Sequence, residues 1–405
     1  MTQGRRVVIT GMGAVSGAGV GWKPLWNAAR EGASVVRALE FARDYPGRIR
    51  IGAQVPDFDA AKLIERSTLM YCDPFTQYAI VAADQAVAEA GFDNKNVGGA
   101  DCAVILGSGI GGIRTVDDGL FALYAKGVKP EPLSIPKLIA SAGPSMLSIR
   151  YDAHGPVFAV ASACSSANQA IGMGMHMVRS GMAERAIVGG AEASLSVGTQ
   201  MTWEMLRVLT PDKCRPFSKG RNGMSIGDGA AMFVLETEEA AMARGAPILC
   251  RLVGYGTSAD ARDPIRPDAD GASLAMRRAI ADADIPADTI QYVNAHGTAT
   301  ALNDPTEAEA MGRIFGDRLA EVAVSSTKPV HGHALGAAGA LELVCTIMAM
   351  RENIAPPTIN FLEPDPKCPV DCVPNQARAM TIRTAMTNSF AFGGVNASLV
   401  LQAAD

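Results

Sequence analysis

Short runs of β-branched and apolar residues alternate along this chain with segments whose apolar positions recur every three to four residues. The first part carries five such runs: Val7-Val8-Ile9, Ala103 to Leu106, Val157 to Ala161, Ala186 to Gly189 and Met232 to Leu235. From about Ala246 the rhythm starts again, with Leu249 to Tyr255, Ile290 to Asn294, Val322 to Ser325, Ala385 to Ser389 and Ala397 to Leu401. Runs of this length predict strands, and the stretches between them predict helices. Each half therefore reads β-α-β-α-β-α-β-β. The duplication is one of architecture, since few identities recur between the halves. Alternating strands and helices predict mainly parallel sheets covered by helices on both faces, with chemistry at the carboxyl ends of strands.

No Ser/Gly linker or block of like charges separates residues 1–245 from 246–405, which predicts two packed halves with a rigid junction. Two insertions, Phe41 to Phe58 and Ile113 to Pro136, lack a clear period and are expected to form caps or partner surfaces. The longest apolar tract, Leu335 to Met350, is broken by Glu342 and is shorter than the ~20 residues of a membrane span. A buried helix is the expectation there.

Composition narrows the class. The 405 residues are 48% hydrophobic and 19% charged, so a sizeable core is available and disorder is excluded. The net charge of −5 argues against a general nucleic-acid binder, and any acidic partner must meet a local basic patch. Eight cysteines without tight pairing predict a reduced, cytoplasmic protein rather than a disulfide framework. Cys368 and Cys372 lack a second Cys/His pair at zinc spacing, so no metal is assigned to them.

Gly107-Ser108-Gly109-Ile110-Gly111-Gly112 satisfies G-x-G-x-x-G after a strand. No acidic residue follows at the expected offset of about 20 positions, so the segment reads as a tight turn that projects Ile110 into a pocket. Chemistry concentrates elsewhere. The run Val157 to Ala161 leads into Ser162-Ala163-Cys164-Ser165-Ser166, then a helix ending near Gly181. A cysteine at such an elbow meets the positive end of a helix, and a lowered thiol pKa is the expectation. Three of the five histidines lie in Asn294-Ala295-His296-Gly297-Thr298-Ala299-Thr300 and in Lys328-Pro329-Val330-His331-Gly332-His333. Both motifs follow strands, so Cys164, His296 and His333 can meet in one cleft. His331 and His333 could resemble a metal pair, but no carboxylate cluster completes it. A fourth element, Asn388 to Asn396, breaks a strand into glycines, where a backbone N–H could join that of Cys164 as an oxyanion hole and Phe392 could gate access.

With these motifs in family order, the chain resembles the β-ketoacyl-acyl carrier protein synthases over essentially its full length. The elongating type II branch and its nodulation-protein-E-like relatives look most similar. Supporting matches include Arg215-Pro216-Phe217 leading to Gly227-Asp228-Gly229, and Gly336 to Gly339. The resemblance implies a thiolase fold of two βαβαβαββ halves in an α-β-α-β-α arrangement. It implies a decarboxylating condensation with Cys164 as nucleophile, His296 and His333 as hydrogen-bond donors, and Lys328 paired with Glu342. It further implies an oxyanion hole from the N–H groups of Cys164 and Phe392, an acyl tunnel lined by Ile110, and Thr298 and Thr300 on the phosphopantetheine arm of acyl carrier protein. Lys62, Arg66 and Arg207 match carrier-docking positions, a homodimer is implied, and neither metal nor other cofactor is called for. Ser218, Asp228, Ala391 and Val395 depart from the commonest pattern without removing a reacting group; Ala391 is expected to stiffen the gate. Two other readings stay open: a non-catalytic chain-length partner, which Cys164 argues against, and a thiol hydrolase or thiolase-like enzyme on coenzyme A thioesters, which the two histidines disfavour.

Overall fold

The computed structural model describes residues 5–404. Ten strands build the framework: β1 (Val7–Ser16), β2 (Cys102–Gly107), β3 (Val157–Val160), β4 (Arg185–Glu192), β5 (Gly229–Thr237), β6 (Cys250–Ala259), β7 (Tyr292–Asn294), β8 (Ala323–Ser325), β9 (Thr384–Ala391) and β10 (Val395–Gln402). The first five lie in the order β1-β5-β4-β2-β3 and the last five in the order β6-β10-β9-β7-β8. The order repeats strand for strand, and so do the directions. In each set the fifth strand is inserted antiparallel between the first and the fourth, while the fourth, second and third pair in parallel. The sheets are therefore mixed rather than mainly parallel. In the second set a turn of three residues, Phe392 to Gly394, returns β9 straight into β10 and leaves no room for a parallel crossover.

The helices that set the layers are α1 (Pro74–Glu89), α2 (Ile113–Lys126), α3 (Ala142–Tyr151), α4 (Ser166–Ser180), α5 (Val197–Met205), α6 (Ala269–Ala283), α7 (Asn303–Phe315) and α8 (Ala338–Glu352). Helices α1 and α3 cover the outer face of the first strand set, and α6 and α7 cover that of the second. Between the sets lie α4 and α8, in one core with Ile105, Val188, Phe233, Tyr292 and Leu399. Five layers result. Glycines make the middle layer thin enough. A Cβ on Gly172 would stand 2.3 Å from the Tyr255 ring in β6, and one on Gly174 2.4 Å from Val188 in β4, so α4 touches both sheets through bare backbone.

Helix α8 is buried from Ala338 to Met350, as the apolar tract predicted. The insertion from Ile113 differs from expectation, because its first 14 residues form α2. Leu120, Phe121 and Tyr124 on that helix are exposed, and this outward apolar face blurs the period by which a core-facing helix is recognised. Among the described residues no helix is long and apolar enough to cross a membrane. All eight cysteines are free and buried.

Candidate active site

After β3 the chain turns through Ala163, whose φ of 48° is unusual for a residue with a side chain, into a single 3-10 turn and then α4. Serines tie this elbow. Ser162 N–H donates to Ser166 Oγ (2.9 Å), Ser166 Oγ–H to the Ala163 carbonyl (2.6 Å) and Ser165 Oγ–H to the Ser162 carbonyl (2.9 Å). Cys164 is thereby held at the N-terminal end of α4, 5% exposed, beside Leu195, Ile226 and Leu335. Burial pushes its thiol up to about 12, with the Lys328 charge opposing. The expectation of a lowered thiol thus fails for the closed site, because the desolvation of a thiolate outweighs the favourable charges around it.

His333 Nε2 lies 3.1 Å from Cys164 Sγ. The His296 ring meets that of His333 edge-on, with centroids 5.4 Å apart. Lys328 fixes the second imidazole. Its ammonium donates to His296 Nδ1 (3.2 Å), to the His296 carbonyl and to Glu342 Oε1. Three donors meet three acceptors, which fits a buried cation paired with a carboxylate. Because Nδ1 of His296 accepts, its proton sits on Nε2. Nδ1 of His333 has no hydrogen-bond partner, and a bare acceptor is better tolerated in a buried site than a bare donor, so His333 also carries its proton on Nε2. Burial and Lys328 hold both rings well below the usual imidazole range, hence neutral. The site thus presents two neutral N–H donors beside one sulfur.

Cys164, His296 and His333 line a cavity of about 370 Å³. Thr298 and Thr300 line it, their hydroxyls 3.0 Å apart. Phe392 lines it as well, 36% exposed, between Ala391 and the left-handed Gly393 and Gly394 (φ 85° and 68°). Its ring stacks on Trp203 of α5 at 6.0 Å. Phe390 packs against His296 (6.1 Å). Arg207 is part of the same lining, together with Arg266, which sequence reasoning did not single out.

Other expected residues are not brought in. Ile110 is 41% exposed and is not part of the lining of this cavity. Lys62 pairs with Asp59 at 3.2 Å on one short helix, and Arg66 begins the next; both are exposed and outside the cavity lining. His331 turns away from its neighbour. Its Nδ1–H donates to the Gly332 carbonyl (2.8 Å) and its Nε2 accepts from Thr327 Oγ1 (3.0 Å), a closed structural arrangement in one tautomer.

A set of buried carboxylates latches the active-site loops; the sequence reading names Asp228 only as part of a motif, without this role, and does not single out Glu192, Asp304 or Glu307. Glu307 accepts the N–H groups of His296 and Gly297, both at 2.8 Å, and Asp304 those of Phe217 (2.8 Å) and Ala299 (3.1 Å). Asp228 accepts from Leu195 N–H (2.9 Å) and pairs with Arg114. Glu192 holds two further loops. Only the position of Glu307 and Asp304, 11 and 8 residues after His296 on the next helix, offered a signal. Ligand atoms of Cys164, His296 and His333 lie within 4.8 Å of one another, close enough for a metal ion. The Lys328 ammonium against His296, with no carboxylate among the described residues joining the trio, disfavours a second cation there.

Fold and site together define a thiolase-fold, acyl-transferring condensing enzyme. Residues 4–241 match the family described as beta-ketoacyl synthase, N-terminal domain, and residues 249–362 its C-terminal domain. The chain belongs to the beta-ketoacyl synthase family. It is 39% identical over 402 residues to nodulation protein E of Rhizobium sp. (strain N33), covering 98% of this chain and 99% of that protein. It is 41% identical over 409 residues to 3-oxoacyl-[acyl-carrier-protein] synthase 2 of Coxiella burnetii (strain RSA 493 / Nine Mile phase I), covering 98% of each. The solved ishigamide ketosynthase/chain length factor superposes with a TM-score of 0.95 at 34% identity, over 99% of this chain and 100% of that one.

Proposed function

We propose that Cys164 accepts an acyl group from acyl carrier protein and that the acyl-enzyme condenses, with loss of carbon dioxide, with malonyl-acyl carrier protein. The product is β-ketoacyl-acyl carrier protein in fatty-acid or related lipid or polyketide elongation. The observation that carries this reading is the convergence of one thiol and two imidazole N–H donors on the lining of one cavity.

In the first half-reaction the sulfur attacks the thioester carbonyl, the N–H groups of Cys164 and Phe392 hold the oxyanion, and the carrier thiol leaves with a proton. The malonyl thioester then places its carbonyl oxygen against Nε2–H of His296 and His333. Carbon dioxide departs, leaving an enolate stabilised by those two bonds. The enolate carbon attacks the acyl carbonyl on Cys164, and collapse of that adduct breaks the C–S bond and expels the cysteine sulfur, which takes up one proton from solvent to return to the thiol. Both oxyanions are met by N–H groups of this chain, so the proposal calls for no metal or organic cofactor.

The phosphopantetheine arm is assigned to the cavity along Thr298 and Thr300, with Phe392 as gate; Ile110 lies outside that cavity and is assigned to the acyl chain only beyond it. Arg207 on the cavity lining, with the exposed Lys62 and Arg66, is assigned to an acidic carrier protein; the partner is proposed because the Coxiella burnetii relative is a 3-oxoacyl-[acyl-carrier-protein] synthase. Exposed Tyr124, Val128 and Ile135 favour pairing with a second copy of the chain. Residues 1–245 and 246–405 are assigned as two halves of one catalytic unit, and the reduced cysteines suit a cytoplasmic setting. The test is intact-mass analysis after incubation with acyl-carrier proteins of graded length. Acylation at Cys164, followed by release on adding malonyl-acyl carrier protein, is expected; condensation by a Cys164→Ala variant would refute the assignment.

A further inference from the structure

Glu192 ends β4 fully buried, and the condensation steps above make no use of it. Its Oε2 accepts N–H from Gly109 (2.6 Å) and from Gly336 (3.0 Å), while Ser108 Oγ approaches its Oε1 at 3.4 Å. Ser108 in turn accepts the N–H of Gly111 at 3.0 Å, so the whole turn that carries Ile110 hangs on this carboxylate. Gly336 lies three residues beyond His333, in the turn that leads into α8. One oxygen atom therefore joins two loops from different halves of the chain. The two glycines are the condition for it. A Cβ on Gly336 would stand 2.2 Å from Gly109 N and 2.7 Å from Glu192 Oε2, and one on Gly109 2.9 Å from the same oxygen. Such a clamp has no sequence motif, because its three parts are 83 to 227 residues apart.

We propose that Glu192 is a positioning residue that locks the Ser108–Gly111 turn to the His333–Gly336 turn and thereby fixes His333 and the Ile110 segment relative to the Cys164 sulfur. It touches neither substrate nor sulfur. Its neighbours are the amides of Gly109, Ile110 and Gly336, and its charge also acts on Cys164, raising that thiol. The kinetic part of the inference rests on the proposed condensation; the chemical labelling part does not.

The test compares Glu192→Gln, Glu192→Asp and Glu192→Ala in the full-length protein. A Gln amide oxygen can occupy the place of Oε2 and accept both N–H groups, whereas Asp is one methylene short of spanning the two loops. Losing the frame displaces His333, and a displacement of that kind costs about a hundredfold in kcat. Glu192→Asp and Glu192→Ala are expected to show that loss with KM for malonyl-acyl carrier protein little changed, and an altered ratio of long-chain to short-chain acylation. Glu192→Gln is expected to restore most of the rate and the wild-type ratio. Iodoacetamide labelling of Cys164, followed by intact mass, needs no turnover and should change about threefold or more in the Asp and Ala variants. Should Glu192→Ala not fold, Glu192→Asp decides. Folded Asp or Ala variants with wild-type kcat, chain-length ratio and labelling rate would overturn the proposal, as would a Gln variant as impaired as Ala. Wild-type protein that labels at Cys164 but never condenses would sink the proposed reaction instead, leaving labelling to decide the clamp.

Discussion

Replacing Lys328 by Met separates what the buried ion pair does for stability from what it does for chemistry. In the native protein the ammonium donates to Glu342 Oε1 and to both acceptors on His296, all fully enclosed, while Glu342 Oε2 has no hydrogen-bond partner. Methionine fills a similar volume but donates nothing, so Glu342 is left as an uncompensated buried carboxylate. Breaking a buried pair in this way costs about 3–5 kcal/mol. Even with Lys328 present, burial raises Glu342 from its ordinary 4.5 to about 7. Without the lysine the carboxyl stays protonated when folded, and holding it so at pH 7 costs about 3 kcal/mol, at about 1.4 kcal/mol per pH unit above 4.5. The sign follows from proton binding. The folded variant holds one proton more than the unfolded chain above pH 4.5, so its stability falls as pH rises. Wild-type Glu342, raised to about 7, loses stability over part of the same range, so urea unfolding at pH 5.5 and pH 7.5 should show the variant's own stability falling by about 2–3 kcal/mol and its deficit against wild type growing by about 1 kcal/mol. The double variant Lys328→Met/Glu342→Leu removes both charges and should recover most of the stability. It should not recover activity, because Nδ1 of His296 no longer has its donor and the Nε2–H tautomer is no longer enforced. A deficit that is equal at both pH values, or a double variant with wild-type kcat, would refute the reasoning.

Three further outcomes follow from the same geometry. His296→Ala removes one of two donors to the enolate oxygen and should lower kcat for malonyl decarboxylation about 100- to 1000-fold, while acylation of Cys164, measured by intact mass, persists. Because burial places the Cys164 thiol near 12, its alkylation rate should keep rising with pH through 10; a plateau below pH 8 would contradict that placement. Arg207→Ala and Arg266→Ala, each removing a cation from the cavity lining, should raise KM for carrier-bound substrates about three- to tenfold at low salt with kcat nearly unchanged. That effect should shrink as ionic strength rises, and salt-independent kinetics would oppose it.

The elements were legible because burial writes itself into periodicity. Every apolar run singled out along the chain lies in or overlaps a strand, from Val7-Val8-Ile9 in β1 to Ala397 to Leu401 in β10, and the tract around Glu342 is the buried α8. Glu342 itself was readable as the partner of Lys328, since a lone buried charge of either sign would be too costly. Helix α2 escaped because its apolar side chains face outward. The antiparallel fifth strand of each set escaped too, because alternation specifies which segments are strands and says nothing of how they run.

The carboxylates escaped for a different reason. Glu192, Asp228, Asp304 and Glu307 are common residue types whose value lies in the backbone amides they meet, and those amides come from distant loops. The error over the Cys164 thiol has the same origin. Its place at the head of α4 is a local property, whereas its desolvation depends on Leu195, Ile226 and Leu335, brought from elsewhere. The order of elements and the identity of the reacting groups are local and chemical, so the amino-acid sequence alone determined them. Strand direction, the protonation state of the sulfur, the tautomers of His296 and His333, and the clamp at Glu192 were decided only in the folded molecule. Each of these is set by neighbours within a few ångströms that the polymer holds tens to hundreds of residues apart.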